Sequence, residues 1–280
     1  MPEPYRHPKK RWWLLATLLR PLELLPPLGY GRPLLTRLAI PMPGLREEIN
    51  ILQLSDLHID PRRTAGQPPW WRLLDGLRPD LIVFTGDYAY NYRAQRGPAV
   101  KIMGLLAHNF ASVPAVAVRG NSDHPDILAE LAAEAGVRTL CNQGFLYKKG
   151  SARLWVAGVD DPHHLRDDPQ AALDGCPDDV PALLLAHSPD VLRHQAVREV
   201  QLVLTGHTHG GQVRLPFIGP LFTKTRCGRK YDVGLKKLED TIIYINRGLG
   251  GLPVRFACPP EVAFFTLRPP EGNPMPEKRV

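Results

Sequence analysis

The sequence predicts an α/β fold in which stacked sheets are flanked by helices. Three observations carry this. From Ile49 onward, short apolar β-branched runs alternate with stretches of helical period. After residue 200 the chain turns strand-rich. A length of 280 residues, 44% hydrophobic and 22% charged, is enough for a full core and excludes a wholly disordered, collagenous or polytopic membrane chain. In chain order, the strands are expected at 49–55 (INILQLS), 80–85 (DLIVFT), 114–118 (PAVAV), 153–158 (RLWVAG), 181–186 (PALLLA), 201–205 (QLVLT), 241–246 (TIIYIN) and 261–267 (EVAFFTL). Helices are expected at 69–77, 97–109, 124–135 and 188–195. No internal repeat is visible, and Cys141, Cys176, Cys227 and Cys258 are scattered without a CxxC pair, reading as free thiols in a reducing compartment.

Where the charge sits matters more than its total. Residues 1–46 carry eight cations (Arg6, Lys9, Lys10, Arg11, Arg20, Arg32, Arg37, Arg46) against Glu3 and Glu23, which accounts for six of the seven net positive charges. The rest of the chain is nearly neutral, so no nucleic-acid partner is expected of the domain as a whole. Within that segment the apolar run from Trp12 to Leu19 is far short of a membrane span, and Arg20, Pro21, Glu23, Pro26, Pro27 and Arg32 break up the stretch after it. Trp and Leu beside Lys and Arg suit an element lying in the headgroups of an anionic membrane face, with packing on the core as the alternative. The expected organisation is a membrane-associating segment at 1–46, a domain at 47–267 and a Pro-rich disordered tail at 268–280.

Almost every early strand ends in polar residues. Ser55-Asp56-Leu57-His58 follows the first, Thr85-Gly86-Asp87 the second and Gly120-Asn121-Ser122-Asp123 the third. Later come Ala186-His187-Ser188 and Gly206-His207-Thr208-His209-Gly210-Gly211. Ligands bind beyond the carboxyl ends of strands in α/β sheets, so these ends can face one crevice. Singly, each residue passes for a turn or a cap. Together Asp56, His58, Asp87, Asn121, His187, His207 and His209 form a mixed oxygen and nitrogen donor set suited to Mn, Fe or Zn. Side chains two apart in extended backbone point the same way, which pairs Asp56 with His58 and His207 with His209. Seven donors exceed one tetrahedral ion and fit two divalent ions sharing a carboxylate, an arrangement that clamps a phosphoryl group and makes hydroxide at neutral pH.

The order D-x-H, G-D, G-N, H, G-H-x-H over residues 49–267 resembles the calcineurin-like metallophosphoesterases. The resemblance implies a four-layer β-sandwich of two mixed sheets flanked by helices. It implies one ion on Asp56, His58, Asp87 and His209, and another on Asp87, Asn121, His187 and His207, with Asp87 as the bridge. Manganese is the metal expected, with iron or zinc as alternatives. GHTHGGQ, CGRKYDVG and NRGLGGLPVRF are similar to the membrane-associated bacterial branch that includes UDP-2,3-diacylglucosamine pyrophosphatases. That likeness implies a monomer on the cytoplasmic face of the inner membrane, acting on a phosphodiester or pyrophosphate, such as a glycolipid nucleotide. A general phosphodiesterase, a nuclease or a metal-free scaffold are the alternatives.

One departure matters. Many members read G-N-H followed by an acid, and here Ser122 takes the place of that histidine. Asp123 keeps the acidic position, a candidate catalytic residue or one that orients that loop, and His124 is the candidate substitute proton donor, with a helix-cap or surface role as the alternative. Without a dedicated acid, a good leaving group is favoured. Arg119 is a candidate for stabilising charge, or else a surface residue. Asp160, Asp161, His163 and His164 read as a polar loop, with a further ion or a substrate contact as the alternative. Arg226, Arg229 and Lys230 meet phosphate or headgroups, or are simply solvated, and Phe217, Ile218, Leu221 and Phe222 read as packed apolar residues, with acyl chains as the other reading.

Overall fold

The structure, a computed structural model, describes residues 32–60, 68–90, 92–110, 112–252 and 254–270. Two mixed six-stranded sheets stack face to face. The first runs in the order β1 (Leu34–Pro41), β14 (Glu261–Arg268), β2 (Ile49–Leu54), β3 (Leu81–Phe84), β4 (Ala115–Ala117) and β5 (Arg138–Thr139). The second runs β12 (Gly234–Leu238), β13 (Thr241–Ile245), β9 (Leu202–Thr205), β8 (Ala182–Leu185), β7 (Ala152–Gly158) and β6 (Gln143–Lys149). A two-stranded hairpin, β10 (Arg214–Leu215) and β11 (Gly219–Pro220), stands apart. All eight expected strands are present.

Period-two alternation divides each central strand between two cores. In β2 and β3, Ile49, Ile51, Leu81 and Val83 point inward and meet Leu154, Val156, Leu183, Leu185, Leu202 and Leu204 of the second sheet. Leu52, Leu54, Ile82 and Phe84 point outward, under α1 (Tyr92–Asn109) and α2 (Ile127–Ala135). The outer face of the second sheet is covered more thinly, by α3 (Pro169–Leu173) and by 3-10 turns at Pro189–Arg193 and Gln195–Glu199. The helix expected at 188–195 is therefore one short turn, closed by Ser188 accepting the Asp190 N–H and ended by His194 in extended backbone. The helix expected at 69–77 is likewise a 3-10 turn, Pro69–Leu74, which Gly76 follows at φ 74°.

The boundary expected at residue 46 is corrected. Residues 34–41 are a full strand, paired in parallel with all of β14. Arg37, counted among the membrane-facing cations, lies over the Phe264 ring at 5.2 Å. An edge strand exposed on one face tolerates Thr and Arg between its apolar residues, so its composition merged with the basic lead before it. Residues 1–31 and 271–280, on which the rest of the membrane-associating segment and most of the tail fall, lie outside the described residues. No described helix is long and apolar enough to cross a membrane. All four cysteines are free thiols.

Candidate metal centre

β2, β3 and β4 are mutually parallel, as are β7, β8, β9 and β13, so each sheet delivers its loops to one edge. The first sheet brings Asp56, His58, Asp87 and Asn121, and the second brings His187, His207 and His209. Donor atoms of Asp56, His58 and His209 lie within 4.8 Å of one another, as do those of Asp56, Asp87 and His187. Asp87 faces both ways: Oδ2 is 3.4 Å from His58 Nε2, and Oδ1 is 3.4 Å from His187 Nε2. Asn121 Oδ1 is 3.0 Å from His187 Nε2, which also lies 3.2 Å from His207 Nδ1. The seven donors proposed from sequence thus converge, although they span about 150 residues of chain.

The backbone is bent to achieve this. Asp56, His58, Asp87, His207 and His209 all adopt left-handed conformations, with φ of 50°, 41°, 57°, 71° and 50°. Non-glycine residues rarely stay there unless surrounding structure holds them, and such strain gathers at functional sites. Here the holding contacts are backbone bonds between loops: Asp56 N–H to Gly86 O, His58 N–H to Asp87 O and Gly206 N–H to His187 O. Close approach also requires glycine. A Cβ on Gly120 would stand 2.3 Å from Asp87 Oδ1, and one on Gly206 would stand 2.2 Å from Asp56 Oδ2.

Outer contacts fix which ring nitrogen faces inward. His187 Nδ1 pairs with Thr85 O at 2.7 Å and His207 Nε2 with Lys224 O at 2.8 Å, so each presents its other nitrogen to the cluster. Arg255, fully buried, donates to the carbonyls of Arg247, Gly248 and Gly250 beside His209. Two carboxylates and three imidazoles are buried together, and the electrostatics reflect it. Burial raises the pKa of Asp56 and lowers that of His58. Burial, reinforced by His187, drives His207 down to about 3. Burial opposes charge on His187 as well, yet Asp87 and Asp56 outweigh it and raise its pKa to about 9. The pocket's own carboxylates therefore demand a cation between them, and the donor set fits divalent metal.

The loop after Asn121 is built around Asp123. Asp123 spends both carboxylate oxygens on the N–H groups of Gly120, Asp87 and Tyr88. It is a brace that locks the Asp87 and Asn121 loops together, in keeping with the loop-orienting alternative. Burial and the nearby Asp87 raise its pKa to about 7. His124 lies with its ring against Asp126, accepting that residue's N–H at Nδ1 just ahead of α2, without reaching a helix N–H. Ser122 turns onto Asp87, donating through both N–H and Oγ.

Two residues gain weight over their sequence reading. Arg119 is buried and forms a bidentate pair with Asp160, at 2.8 and 2.6 Å, tying the loop after β4 to the loop after β7. That second loop is more than a polar turn, for it sets the His163 ring 4.9 Å from the His207 ring. His163 Nδ1 is buried without a hydrogen-bond partner. The signal available in the sequence was the run Asp160-Asp161 directly after a strand, the same strand-end position the other motifs occupy.

A family model described as calcineurin-like phosphoesterase matches residues 49–211, a span that holds all seven donors. The chain is 34% identical over 226 residues to the uncharacterized metallophosphoesterase YkuE of Bacillus subtilis, covering 78% of each. It is 30% identical over 198 residues to phosphodiesterase YaeI of Escherichia coli, covering 68% of this chain and 71% of the other. It is 26% identical over 274 residues to UDP-2,3-diacylglucosamine pyrophosphatase LpxG of Chlamydia trachomatis, covering 78% and 83%. With two stacked mixed sheets, strand-end donors in the family's order and this match, the chain belongs to the calcineurin-like phosphoesterase family and is a metal-dependent phosphoester hydrolase.

Proposed function

We propose that the chain hydrolyses a phosphodiester or pyrophosphate bond with two divalent metal ions. Asp56, His58, Asp87 and His209 would hold one, and Asp87, Asn121, His187 and His207 the other. The observation that carries the reading is Asp87, whose two oxygens each face a histidine of a different group at 3.4 Å. When bound, two such ions supply the Lewis acidity that polarises a phosphoryl oxygen and the lowered water pKa that provides hydroxide near neutral pH. The chain's own residues hold Asp87 in place: Ser122 N–H fixes one oxygen at 2.8 Å, and Asp123 fixes the backbone. The His163 ring packs 4.9 Å from the His207 ring, at the edge of the centre.

The substrate we infer is a lipid-linked nucleotide of the UDP-2,3-diacylglucosamine type, and the metal manganese. Likeness to LpxG supports the first. So does Ser122, since a nucleoside monophosphate leaves readily without an imidazole acid at that position. Membrane contact through the N-terminal segment, a place on the cytoplasmic face of the inner membrane, and a monomeric state belong to the same reading.

Purified protein with manganese, assayed by mass spectrometry, should release UMP from UDP-2,3-diacylglucosamine and cleave bis-p-nitrophenyl phosphate faster than p-nitrophenyl phosphate. Hydrolysis of the diester without UMP release would leave a phosphodiesterase of other substrate. Asp87→Ala should cut diester hydrolysis about a thousandfold or more. Retained activity in a folded D87A protein would sink the two-metal assignment.

A further inference from the structure

The hairpin of β10 and β11 carries a feature that hydrolysis does not use. Phe217 is 110% exposed, Phe222 78%, Ile218 59% and Leu221 44%, four of the eight large apolar side chains exposed among the described residues. They fall within six positions of chain, at the tip and just past the second strand. A soluble surface seldom concentrates apolar groups this way without a partner.

The base beneath them is fixed. Val213 bridges to Phe256, Arg214 N–H donates to Phe256 O, and Arg229 Nε donates to Pro220 O at 3.1 Å. Pro220 sits so close to Gly211 that a Cβ there would meet it at 2.4 Å. The tip is therefore presented by a fastened stem. Two residues beyond Phe222, the carbonyl of Lys224 receives His207 Nε2, so the hairpin adjoins the metal centre.

The charge around it selects the partner. Residues 212–231 hold five cations (Arg214, Lys224, Arg226, Arg229, Lys230) and neither Asp nor Glu. Lys224, Arg226, Arg229 and Lys230 are exposed. Arg214 is paired with Asp232 at 2.8 Å, and the Asp190 carboxylate holds the backbone of Arg226 and Cys227, so the outward charge is that of Lys224, Arg226, Arg229 and Lys230. An apolar tip with these cationic flanks matches an anionic bilayer, where aromatic and aliphatic groups enter the acyl boundary and Lys and Arg meet phosphates.

We propose that the hairpin of residues 213–222 seats the protein on an anionic lipid bilayer, placing the metal centre at the headgroup level. This deepens the lipid-linked reading above and rests on it for the purpose of the docking.

The test uses the full chain with vesicles of phosphatidylethanolamine and phosphatidylglycerol, and with vesicles of phosphatidylcholine alone. Wild type should sediment with the first far more than with the second, and less so in high salt. F217S/F222S should partition about tenfold more weakly while hydrolysing bis-p-nitrophenyl phosphate as wild type does. F217W should show quenching by brominated lipid beyond that of the native tryptophans, which reads the hairpin itself rather than the N-terminal segment. Unchanged partitioning of F217S/F222S with no added quenching in F217W would overturn the proposal. So would a wild-type oligomer, in the absence of lipid, that F217S/F222S dissolves, since the patch would then cover a second copy. Failure of these arms with diester hydrolysis intact leaves the two-metal reading standing; loss of UMP release alone leaves the docking standing.

Discussion

The two sheets contribute different chemistry to the centre. The first supplies oxygen, through Asp56, Asp87 and Asn121, with His58 as its one imidazole, and the second supplies His187, His207 and His209. The oxygens are held by backbone N–H groups, as when Ser122 N–H reaches Asp87 and His207 N–H reaches Asp56. Two of the imidazoles are held by carbonyls, Thr85 O for His187 and Lys224 O for His207. Each sheet supports the other's half: His207 N–H comes from the second sheet to an aspartate of the first, and Thr85 O from the first to a histidine of the second. A metal centre assembled this way needs the sheet edges in register, and neither edge holds a complete set of donors alone.

Forcing the edges apart should have the largest effect. A Cβ at Gly206 would stand 2.0 Å from Ser55 Oγ and 2.2 Å from Asp56 Oδ2, where there is no flexible side-chain end to yield without disturbing a donor. Gly206→Ala is expected to cost about 1–3 kcal/mol in urea unfolding, and to lower diester hydrolysis about a thousandfold with reduced metal content by elemental analysis. Wild-type hydrolysis in this variant would show that the register of the two edges is not what builds the centre.

Next comes the strap between the edges. Arg119 leads from β4 in the first sheet and Asp160 from β7 in the second, and both are buried. Arg119→Met leaves Asp160 without its charge partner, a loss of about 3–5 kcal/mol by thermal or urea unfolding. Arg119→Met with Asp160→Asn should recover part of that, and the double-mutant cycle reads the coupling. Additive losses would mean that the pair does not join the sheets. Beyond the strap, His163→Ala should reduce kcat/KM on the diester about tenfold, because the ring packed 4.9 Å from His207 at the edge of the centre is lost. An unchanged kcat/KM would mean that His207 does not depend on the His163 ring.

How far the sequence reached is explained by the same contrast. Buried parallel strands read as continuous apolar runs, and the polar residues ending them had one place to go, which is why seven distant donors were legible as a group. Edge strands were not. β6 and β12 carry Lys148, Lys149, Lys236 and Lys237 on half-exposed faces, and β1 merged with the basic lead. His163 was visible only as a choice between a polar loop and a site contact, because its position depends on Arg119 and Asp160, a long-range pair that leaves no periodic trace. Asp123 was legible as a residue orienting the Asn121 loop, but which groups it grips was not, because only the fold brings the Gly120, Asp87 and Tyr88 N–H groups to its two oxygens.

The smallest expected effect sharpens the carbonyl side of the comparison. Asp190 Oδ1 accepts the N–H groups of Arg226 and Cys227, at 2.7 and 3.2 Å, and so fixes the turn whose Lys224 carbonyl orients His207. Burial alone would raise its pKa, but these bonds and the Thr225 hydroxyl outweigh burial and hold the carboxyl below its ordinary value of 3.8. A depressed folded pKa means the contribution to stability is full above the ordinary value and is lost as pH falls through the folded one. Asp190→Asn should therefore be less stable than wild type near neutral pH, with the gap closing in acid, when urea midpoints are compared across pH. Its hydrolysis of the diester should fall less than about tenfold, since the turn loosens while every donor stays in place. A gap that stays constant into acid would mean that the carboxylate does not grip the turn by its charge, and His207 would then owe its orientation to the packing of the 223–227 turn instead.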